Sequence, residues 1–295
     1  MILVVGATGQ LGSIVVKNLL QQKRSVRILV RPGSDYEPLI KAGARAVFGD
    51  IKAPITLLDA LRGVETLITT ANSSQRGGDD NVQNVDLIGN RHLVNSAKTA
   101  GVKNFIFVSA ARADDKSQSP YLQAKKKTEN HLVQSGMNYT IVAPEPIMET
   151  WFGAAVVPAL KGNRPVTIYG DGNRRHSYVS IYDVASFITA SLGSPATRNL
   201  HMPIGGPQSL SWNDLMDKFS SLLGKRVPVS HVQPGEDIVG MTEGMQELLV
   251  EMSMYDSKVD STKMAKVLGV NQTSAEEAVK LCLSKHRLAQ PMRAS

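Results

Sequence analysis

A glycine-rich turn near the N-terminus is the feature that most constrains the fold of this chain. Segment 6–12 has the sequence Gly-Ala-Thr-Gly-Gln-Leu-Gly, directly after the apolar run 2–5 and at the start of a stretch with helical spacing. A strand, a tight turn and a helix in this order present free backbone N–H groups at the helix start, where phosphate groups bind. A tight strand-to-helix turn without a ligand is the alternative. The context of the turn favours a site for the pyrophosphate of a dinucleotide.

Each glycine of the turn has its own expected role. Gly6 permits the tight turn, Gly9 lets the backbone approach a pyrophosphate, and Gly12 allows the helix to pack closely on the strand. The predicted cofactor-binding residues of the turn are Gly6, Thr8, Gly9, Gln10, Leu11 and Gly12.

Short apolar runs alternate with helical stretches throughout the first half of the chain. The runs are almost continuously apolar, which is typical of parallel strands buried on both faces. The predicted strands are Ile2–Val5, Ser25–Val30, Arg45–Phe48, Thr66–Thr70, Asn104–Ser109 and Tyr139–Ala143; the predicted helices are Gly9–Gln22, Tyr36–Ala42, Pro54–Leu61, Val82–Ala100 and Tyr121–Ser135. This alternation predicts an α/β fold with a Rossmann-type doubly wound parallel sheet.

The pattern changes after Ala143, where prolines become frequent. The later elements are predicted as a hairpin of Val166–Tyr169 with His176–Ser180, a strand Asn199–Ile204 that returns to the main sheet, and helices at Ile181–Leu192, Ser211–Leu223, Thr242–Met254 and Ser261–Leu268. A capping box at Ser274 opens the last helix. Residues 1–143 plus 181–204 are therefore predicted to form an NAD(P)-binding domain. Residues 144–180 plus 205–295 are predicted to form a smaller C-terminal substrate-binding lobe.

Composition excludes several classes of protein. With 42% hydrophobic and 20% charged residues among 295, the chain is neither disordered nor fibrous. Its one cysteine, Cys282, excludes an internal disulfide framework, and the six histidines lack metal-ligand spacing, so no metal site is predicted. The N-terminal apolar run is too short for a signal peptide, and no apolar stretch approaches the length of a membrane helix. A cytoplasmic protein without a membrane partner is expected.

The net charge of +7 favours an anionic partner. Residues 1–50 and 101–180 each carry a net charge of +4, and these are the stretches expected around the cofactor. Nucleic acid is not predicted as a partner, because the sequence shows no helix-turn-helix, zinc finger or basic-aromatic pattern. A small-molecule substrate is expected, and the sequence leaves open whether the chain forms a homodimer.

The spacing GxxGxxG resembles the extended and atypical short-chain dehydrogenase/reductases, most closely the NmrA-like branch that includes bacterial NADPH:quinone reductases. Further matching segments occur in the same order along nearly the whole chain: Val30–Pro32, Phe48–Asp50, Gly101–Ser109, Gly136–Val142, Tyr182–Ala185 and Leu268–Gly269. The resemblance implies an NADPH-dependent oxidoreductase that transfers hydride to a quinone or another carbonyl-type small molecule. Other NmrA-like members are regulators, so an NAD(P)-sensing protein that controls a protein partner without turnover is the alternative.

Arg31, at the end of the second predicted strand, bears on the choice of dinucleotide. A cation at this position favours the 2′-phosphate of NADP, whereas a carboxylate selects the ribose hydroxyls of NAD. Ser34 adds a hydroxyl group nearby. Asp35 keeps an NAD-type role open, and a solvated surface arginine is the alternative for Arg31. The sequence predicts NADP(H), with NADPH preferred over NADH.

Residues after strands three, four and six are predicted to contact the rest of the dinucleotide. By the resemblance, Asp50 faces the adenine amino group and Ile51 packs against the ring; a turn or helix cap is the alternative for Asp50. The residues expected at the inner ribose and nicotinamide are Ala71 and Asn72, and those expected to flank the nicotinamide are Pro144, Glu145 and Pro146.

Tyr121 and Lys125 form a YxxxK pattern, whose spacing places both side chains on one helical face. An ammonium group beside a phenol favours the phenolate, so the tyrosine can exchange a proton with a carbonyl or alcohol, and the lysine can also hold the cofactor ribose. With Ser109 they resemble the Ser–Tyr–Lys set of short-chain reductases. Ser109 and Tyr121 are only twelve residues apart, which is markedly closer than in the classical family. A solvated basic face at 125–127 is the alternative.

Overall fold

The computed structural model describes residues 1–233, 235–238 and 240–288. The strands are β1 (Ile2–Val5), β2 (Val26–Val30), β3 (Arg45–Phe48), β4 (Thr66–Thr69), β5 (Asn104–Val108), β6 (Asn138–Pro144), β7 (Val166–Tyr169), β8 (Leu200–Ile204) and β9 (Val229–Val232). The helices are α1 (Gln10–Gln21), α2 (Glu37–Lys41), α3 (Leu57–Leu61), α4 (Asn90–Thr99), α5 (Pro120–Gln134), α6 (Met148–Trp151), α7 (Val157–Lys161), α8 (Ile181–Ala190), α9 (Trp212–Leu223), α10 (Glu243–Met252), α11 (Thr262–Leu268) and α12 (Ala275–Lys285).

Seven strands form one sheet in the order β3-β2-β1-β4-β5-β6-β8. The registers are parallel: Ile2 of β1 pairs with Val26 of β2 on one side and with Thr66 of β4 on the other. The predicted doubly wound sheet is confirmed, including the return of β8 beside β6. Because the strand order reverses between β1 and β4, the carboxyl ends of these two strands border the crevice in which ligands of such sheets bind.

The predicted helix 82–100 is divided in two by the structure. Residues Val82–Gly89 wind as a π-helix, and α4 continues from Asn90. A Cβ at Gly89 would lie 2.7 Å from Ile51 Cγ1, so glycine allows the π-helix to pack against the segment after β3. Single π-helical turns inside helices are often found at functional sites.

The chain contacts divide the molecule into two units. The first contains the sheet and consists of Met1–Pro144, Tyr182–Pro203 and Met264–Val270. The second consists of Glu145–Ile181, Ile204–Lys263 and the described residues from Asn271 onward. The assignment of the cofactor to one unit and the substrate to the other stays a prediction.

The second unit has its own apolar core, built around aromatic side chains. The rings of Phe152 and Phe219 meet edge to face with centroids 5.0 Å apart, and those of Trp151 and Trp212 do so at 6.4 Å. Cys282 is buried in the same core, and its burial raises the pKa of the thiol to about 11, so it packs as an inert side chain.

The predicted hairpin in this unit is wrong. Strand β7 pairs in parallel with β9, which the sequence did not reveal, while residues 176–180 make only isolated bridges to other segments. The turn after β7 is bound by Asn213, whose Nδ2 donates to Asp171 O at 2.9 Å and to Asn173 Oδ1 at 2.8 Å. These hydrogen bonds tie the turn to the start of α9 rather than to a returning strand. Helices α6 and α7 were also not predicted.

Among the residues described, none of the helices combines the length and the apolar character needed to span a membrane.

Candidate functional site

The glycine turn lies at the crevice between β1 and β4. Gly6 has φ +78°, and a Cβ there would lie 2.7 Å from Thr70 Oγ1, so the turn abuts the residue that follows β4. A Cβ on Gly12 would overlap the carbonyl oxygen of Gly6. Both glycines are therefore required by the fold itself. Gly9 differs from them: its φ is −75°, and a Cβ there would lie 3.3 Å from Gly6 O.

Helix α1 begins immediately after this turn with its backbone N–H groups available. In the described structure, no side chain caps its first turn and no acidic residue lies in it. Gly9 and Gln10 are exposed, Thr8 and Leu11 are half-buried, and the Gly9 N–H donates to Gly6 O at 3.0 Å. The free N–H groups and the positive end of the helix dipole suit an anion such as a pyrophosphate.

Three cations converge on one carboxylate beside the end of β2. Arg31 Nη1 donates to both oxygens of Asp80, at 2.9 and 2.7 Å, and Lys52 Nζ lies 2.7 Å from Asp80 Oδ1. Arg76 Nη1 donates to Asp80 Oδ2 at 3.1 Å. Burial disfavours the Asp80 anion, but the hydrogen bonds from Lys52 and Arg31 outweigh it and lower the pKa of Asp80 to about 2. Arg31 is thus an ion-paired residue rather than a freely solvated one.

The neighbours of Arg31 form tight turns. Ser34 Oγ accepts a hydrogen bond from the Arg31 N–H at 3.3 Å, and Asp50 Oδ2 lies 3.9 Å from Arg31 Nη1. Asp50 Oδ1 also accepts from the Lys52 N–H at 2.9 Å, as a turn residue does. Ile51 is buried in the core beneath this turn. The adenine contacts of Asp50 and Ile51 stay predictions.

The backbone after β4 is held by short-range hydrogen bonds. The Ala71 N–H donates to Thr69 Oγ1 at 3.3 Å, and Ala71 O accepts from Asn90 Nδ2 at 3.4 Å. Asn72 is exposed and accepts from Ser74 N–H at 3.2 Å. Ala71 and Asn72 directly follow Thr70, the residue next to Gly6, so both lie beside the glycine turn.

Lys125 is buried at the carboxyl end of β5. Its Nζ lies 3.1 Å from Asp86 Oδ1 and donates to Val108 O, on the last residue of β5, at 3.4 Å. The same Nζ lies 5.1 Å from the centroid of the Tyr121 ring. The alternative of a solvated basic face does not hold for Lys125, although Lys127 is exposed.

Tyr121 is protonated in this environment. Burial raises the pKa of its phenol more than the neighbouring Lys125 ammonium lowers it, and the Asp86 carboxylate adds to the rise. The neutral phenol is favoured, which suits a proton donor rather than a base.

Asp86 is a site residue that sequence reasoning missed. It is fully buried on the π-helix, where its Oδ2 accepts from Ser73 N at 3.0 Å and from Ser73 Oγ at 2.5 Å. Thr128 Oγ1 of α5 donates to its backbone carbonyl at 2.9 Å. The available signal was a lone acidic residue between Val85 and Leu87, since an acid among apolar helical positions is buried only when it is paired.

The Ser109 hydroxyl is hydrogen-bonded to a neighbouring side chain of the protein. Its hydroxyl donates to Glu129 Oε1 at 2.5 Å, and the buried Glu129 also contacts His201 Nε2 at 3.2 Å and Lys126 Nζ at 3.2 Å. Burial opposes ionisation of Glu129, but hydrogen bonds from His201 and Ser109 lower its pKa overall. A substrate contact by Ser109 stays a prediction, and its hydroxyl is committed to Glu129 in the structure.

The three residues predicted beside the nicotinamide fall at the end of β6. Pro144 closes the strand in the first unit, where its carbonyl accepts from Ala111 N–H at 3.0 Å. Glu145 and Pro146 belong to the second unit. There, Ser257 Oγ donates to Glu145 Oε1 at 2.6 Å, and the Pro146 carbonyl accepts from Val179 N–H at 3.1 Å.

Comparison with known proteins shows the family of the chain. A protein family described as NAD(P)H-binding matches residues 6–195. The photosystem II assembly factor Ycf39 of Cyanophora paradoxa is 33% identical over 231 residues, which are 78% of this chain and 71% of that protein. The NAD(P)H azoreductase of Xenophilus azovorans is 30% identical over 256 residues, 85% of this chain and 84% of that protein.

Solved structures share the fold over almost the full length. The NADPH complex of the NADPH-dependent quinone oxidoreductase QOR2 from Escherichia coli superposes with a TM-score of 0.78 at 24% identity, covering 95% of this chain and 99% of that one. The matched range, residues 6–195, spans the glycine turn, the cation cluster and the Tyr121–Lys125 pair. The chain therefore belongs to the NAD(P)H-binding family.

Proposed function

We propose that this protein is an NADPH-dependent reductase of the NmrA-like branch, which transfers hydride to a quinone or another carbonyl-type small molecule. The observation that carries the proposal is the pair of Tyr121 and Lys125 beside the carboxyl end of β5, with Lys125 buried and ion-paired to Asp86. An ion pair of this kind is costly to bury.

Bound NADPH supplies the hydride. The Tyr121 phenol donates its O–H proton to the acceptor oxygen that becomes a hydroxyl group. Lys125 stabilises the phenolate that is left, because its ammonium lies beside the ring. Asp86 holds Lys125 in position, and Ser73 holds Asp86.

The preference for NADPH rests on the cations around the end of β2. Arg31, Lys52 and Arg76 provide guanidinium and ammonium donors where a 2′-phosphate is read in this fold. The pyrophosphate is assigned to the first turn of α1. The resemblance to an NAD(P)H azoreductase supports reductive chemistry, since an azo bond also takes up a hydride and a proton.

NADPH oxidation with a panel of quinones, aldehydes and azo dyes tests the proposal. Tyr121→Phe is expected to lower kcat with a carbonyl acceptor by about 10²-fold or more, because a positioned proton donor contributes that much, and to leave the Kd of NADPH unchanged. Tyr139→Phe, on strand β6, is the matched control and is expected to retain wild-type turnover. Undiminished turnover by Tyr121→Phe would remove Tyr121 from the mechanism.

A second candidate function is binding of the dinucleotide without turnover, with control of a protein partner. Two observations favour it: the similarity to Ycf39, which is named as an assembly factor, and the engagement of Ser109 by Glu129, which leaves the Ser–Tyr–Lys set incomplete. NADPH binding without loss of NADPH absorbance for any acceptor in the panel would favour this function over the reductase.

A further inference from the structure

The carboxylate of Asp80 joins three segments that are far apart in the sequence. Arg31 follows β2 and Lys52 follows β3, whereas Arg76 and Asp80 lie between β4 and the π-helix. All three cations reach the same carboxylate at distances of 2.7 to 3.1 Å. The Asp80 side chain is 16% exposed, whereas those of Arg31 and Lys52 are 34% and 28% exposed. The carboxylate therefore lies deeper than the cations that surround it.

The donors that bind Asp80 are those that a phosphate group would use. Guanidinium groups bind carboxylates and phosphates through the same N–H geometry, and Lys binds either as a point charge. A phosphate monoester carries close to two negative charges at neutral pH, against one for Asp80. Arg31 Nη1 donates to both Asp80 oxygens, so this nitrogen cannot bind a second anion while the contact is intact.

We propose that Asp80 is an internal competitor for the 2′-phosphate of NADPH, which must displace this carboxylate from Arg31, Lys52 and Arg76. The proposal rests on the NADPH preference of the proposed function. Asp80 then determines how strongly the protein favours NADPH over NADH, because only the phosphorylated dinucleotide has to break these contacts. Gly77 and Gly78 precede Asp80, and Gly78 has φ +62°, a conformation that glycine adopts without steric cost.

The effect of such a competitor follows from the populations of the two states. A site that is open in only a fraction of the molecules binds its ligand more weakly by that fraction. Removing the carboxylate opens the cation cluster in every molecule. It also removes one negative charge from a site that must accept a phosphate.

The binding of 2′,5′-ADP and of ADP, measured by calorimetry, tests the proposal without turnover. Asp80→Asn is expected to lower the Kd of 2′,5′-ADP by about tenfold, which corresponds to an open site in about one molecule in ten of the wild type, while the Kd of ADP stays the same. Asp79→Asn is the matched control, because it removes the same charge from an exposed neighbour outside the cluster. It is expected to change neither Kd. Adding Arg31→Ala to Asp80→Asn is expected to abolish the gain.

Weaker or unchanged binding of 2′,5′-ADP by Asp80→Asn would overturn the proposal, since Asp80 would then align the cations or leave them unaffected. Equal affinities for ADP and 2′,5′-ADP in both wild type and Asp80→Asn would overturn it together with the NADPH preference. Tighter binding of 2′,5′-ADP by a protein that reduces no acceptor would support the proposal and reject the reductase. Asp80→Ser repeats the test if circular dichroism shows that the asparagine variant is unfolded.

Discussion

Glycines at neighbouring positions of one turn are required for different physical reasons. Gly12 is required by the fold, because a Cβ would overlap the Gly6 carbonyl. Gly9 has an ordinary φ, and a Cβ there would lie 3.3 Å from Gly6 O, a tight contact that a small backbone shift relieves, so the fold constrains this position much less than it constrains Gly12. What a Cβ on Gly9 obstructs is the space in front of the turn, where the pyrophosphate is expected.

Alanine substitutions separate these roles. Gly9→Ala is expected to fold with a Tm close to wild type and to raise the Kd of NADPH about tenfold, because its Cβ blocks close approach of the pyrophosphate to the backbone. Gly12→Ala, the steric control, is expected to yield little folded protein. Thermal unfolding and fluorescence titration measure both effects. Wild-type affinity in a folded Gly9→Ala variant would place the pyrophosphate elsewhere.

Adjacent lysines on α5 have opposite environments. Lys125 is buried against Asp86, whereas Lys126 is partly exposed and contacts Glu129 at 3.2 Å. Lys125→Met leaves a buried carboxylate without its partner and is expected to lower the free energy of unfolding by about 3–5 kcal/mol. Lys126→Met is expected to cost less than about 1 kcal/mol. Urea unfolding compares the two.

A double variant keeps this test decisive for the ion pair. Adding Asp86→Asn to Lys125→Met removes the uncompensated charge, so part of the lost stability is expected to return. If the double variant is less stable than Lys125→Met, the damage comes from lost packing rather than from the buried charge.

Helix ends in the second unit show how local sequence sets an element. Ser211 opens α9 and Ser274 opens α12, each in a reciprocal capping box with the acid three residues later. The capping box at Ser274 was predicted and is confirmed. Such motifs can be predicted because the donor, the acceptor and the helix start lie within four residues.

Removing one of these caps tests its contribution. Ser274→Ala is expected to lower the free energy of unfolding by about 1 kcal/mol, because the Glu277 N–H loses its side-chain acceptor. Ser284→Ala, on the exposed side of the same helix, is the control and is expected to leave the stability unchanged. Equal stabilities of the two variants in chemical denaturation would show that the cap contributes nothing.

Over the whole molecule, the count of charges along the sequence missed part of the candidate anion site. It located the positive excess in residues 1–50 and 101–180, and Arg31 belongs to the first of these. Lys52 and Arg76, however, come from residues 51–100, where charges cancel along the sequence. The count missed Lys52 and Arg76 because Asp79, Asp80 and the other acidic residues of that stretch bring its net charge to zero. The local electrostatic potential depends instead on which charged groups lie close together in the folded chain.

The contribution of the Asp80 ion pairs to stability is expected to depend on pH in the acid range. The pKa of Asp80 is lowered from 3.8 to about 2, so its contribution is fully present above about pH 4 and is lost as the pH falls towards 2. The free energy of unfolding of the wild type is therefore expected to exceed that of Asp80→Asn by about 2 kcal/mol near neutral pH. This difference should vanish near pH 2. Urea unfolding across this pH range measures it, with Asp79→Asn as the control. A pH-independent difference would contradict the low pKa.

The buried-strand pattern, the glycine turn and the capping box at Ser274 could be predicted from the sequence alone, because each depends on residues within one strand or one turn of each other. The hairpin after β7 was wrong because its turn is bound by Asn213, forty residues further on. The partners in the candidate site are equally remote: Asp80 lies 49 residues from Arg31, and Asp86 lies 39 residues before Lys125. The distances and the burial in the folded chain determine which charged side chains pair. These distances cannot be read from the spacing of the residues along the sequence.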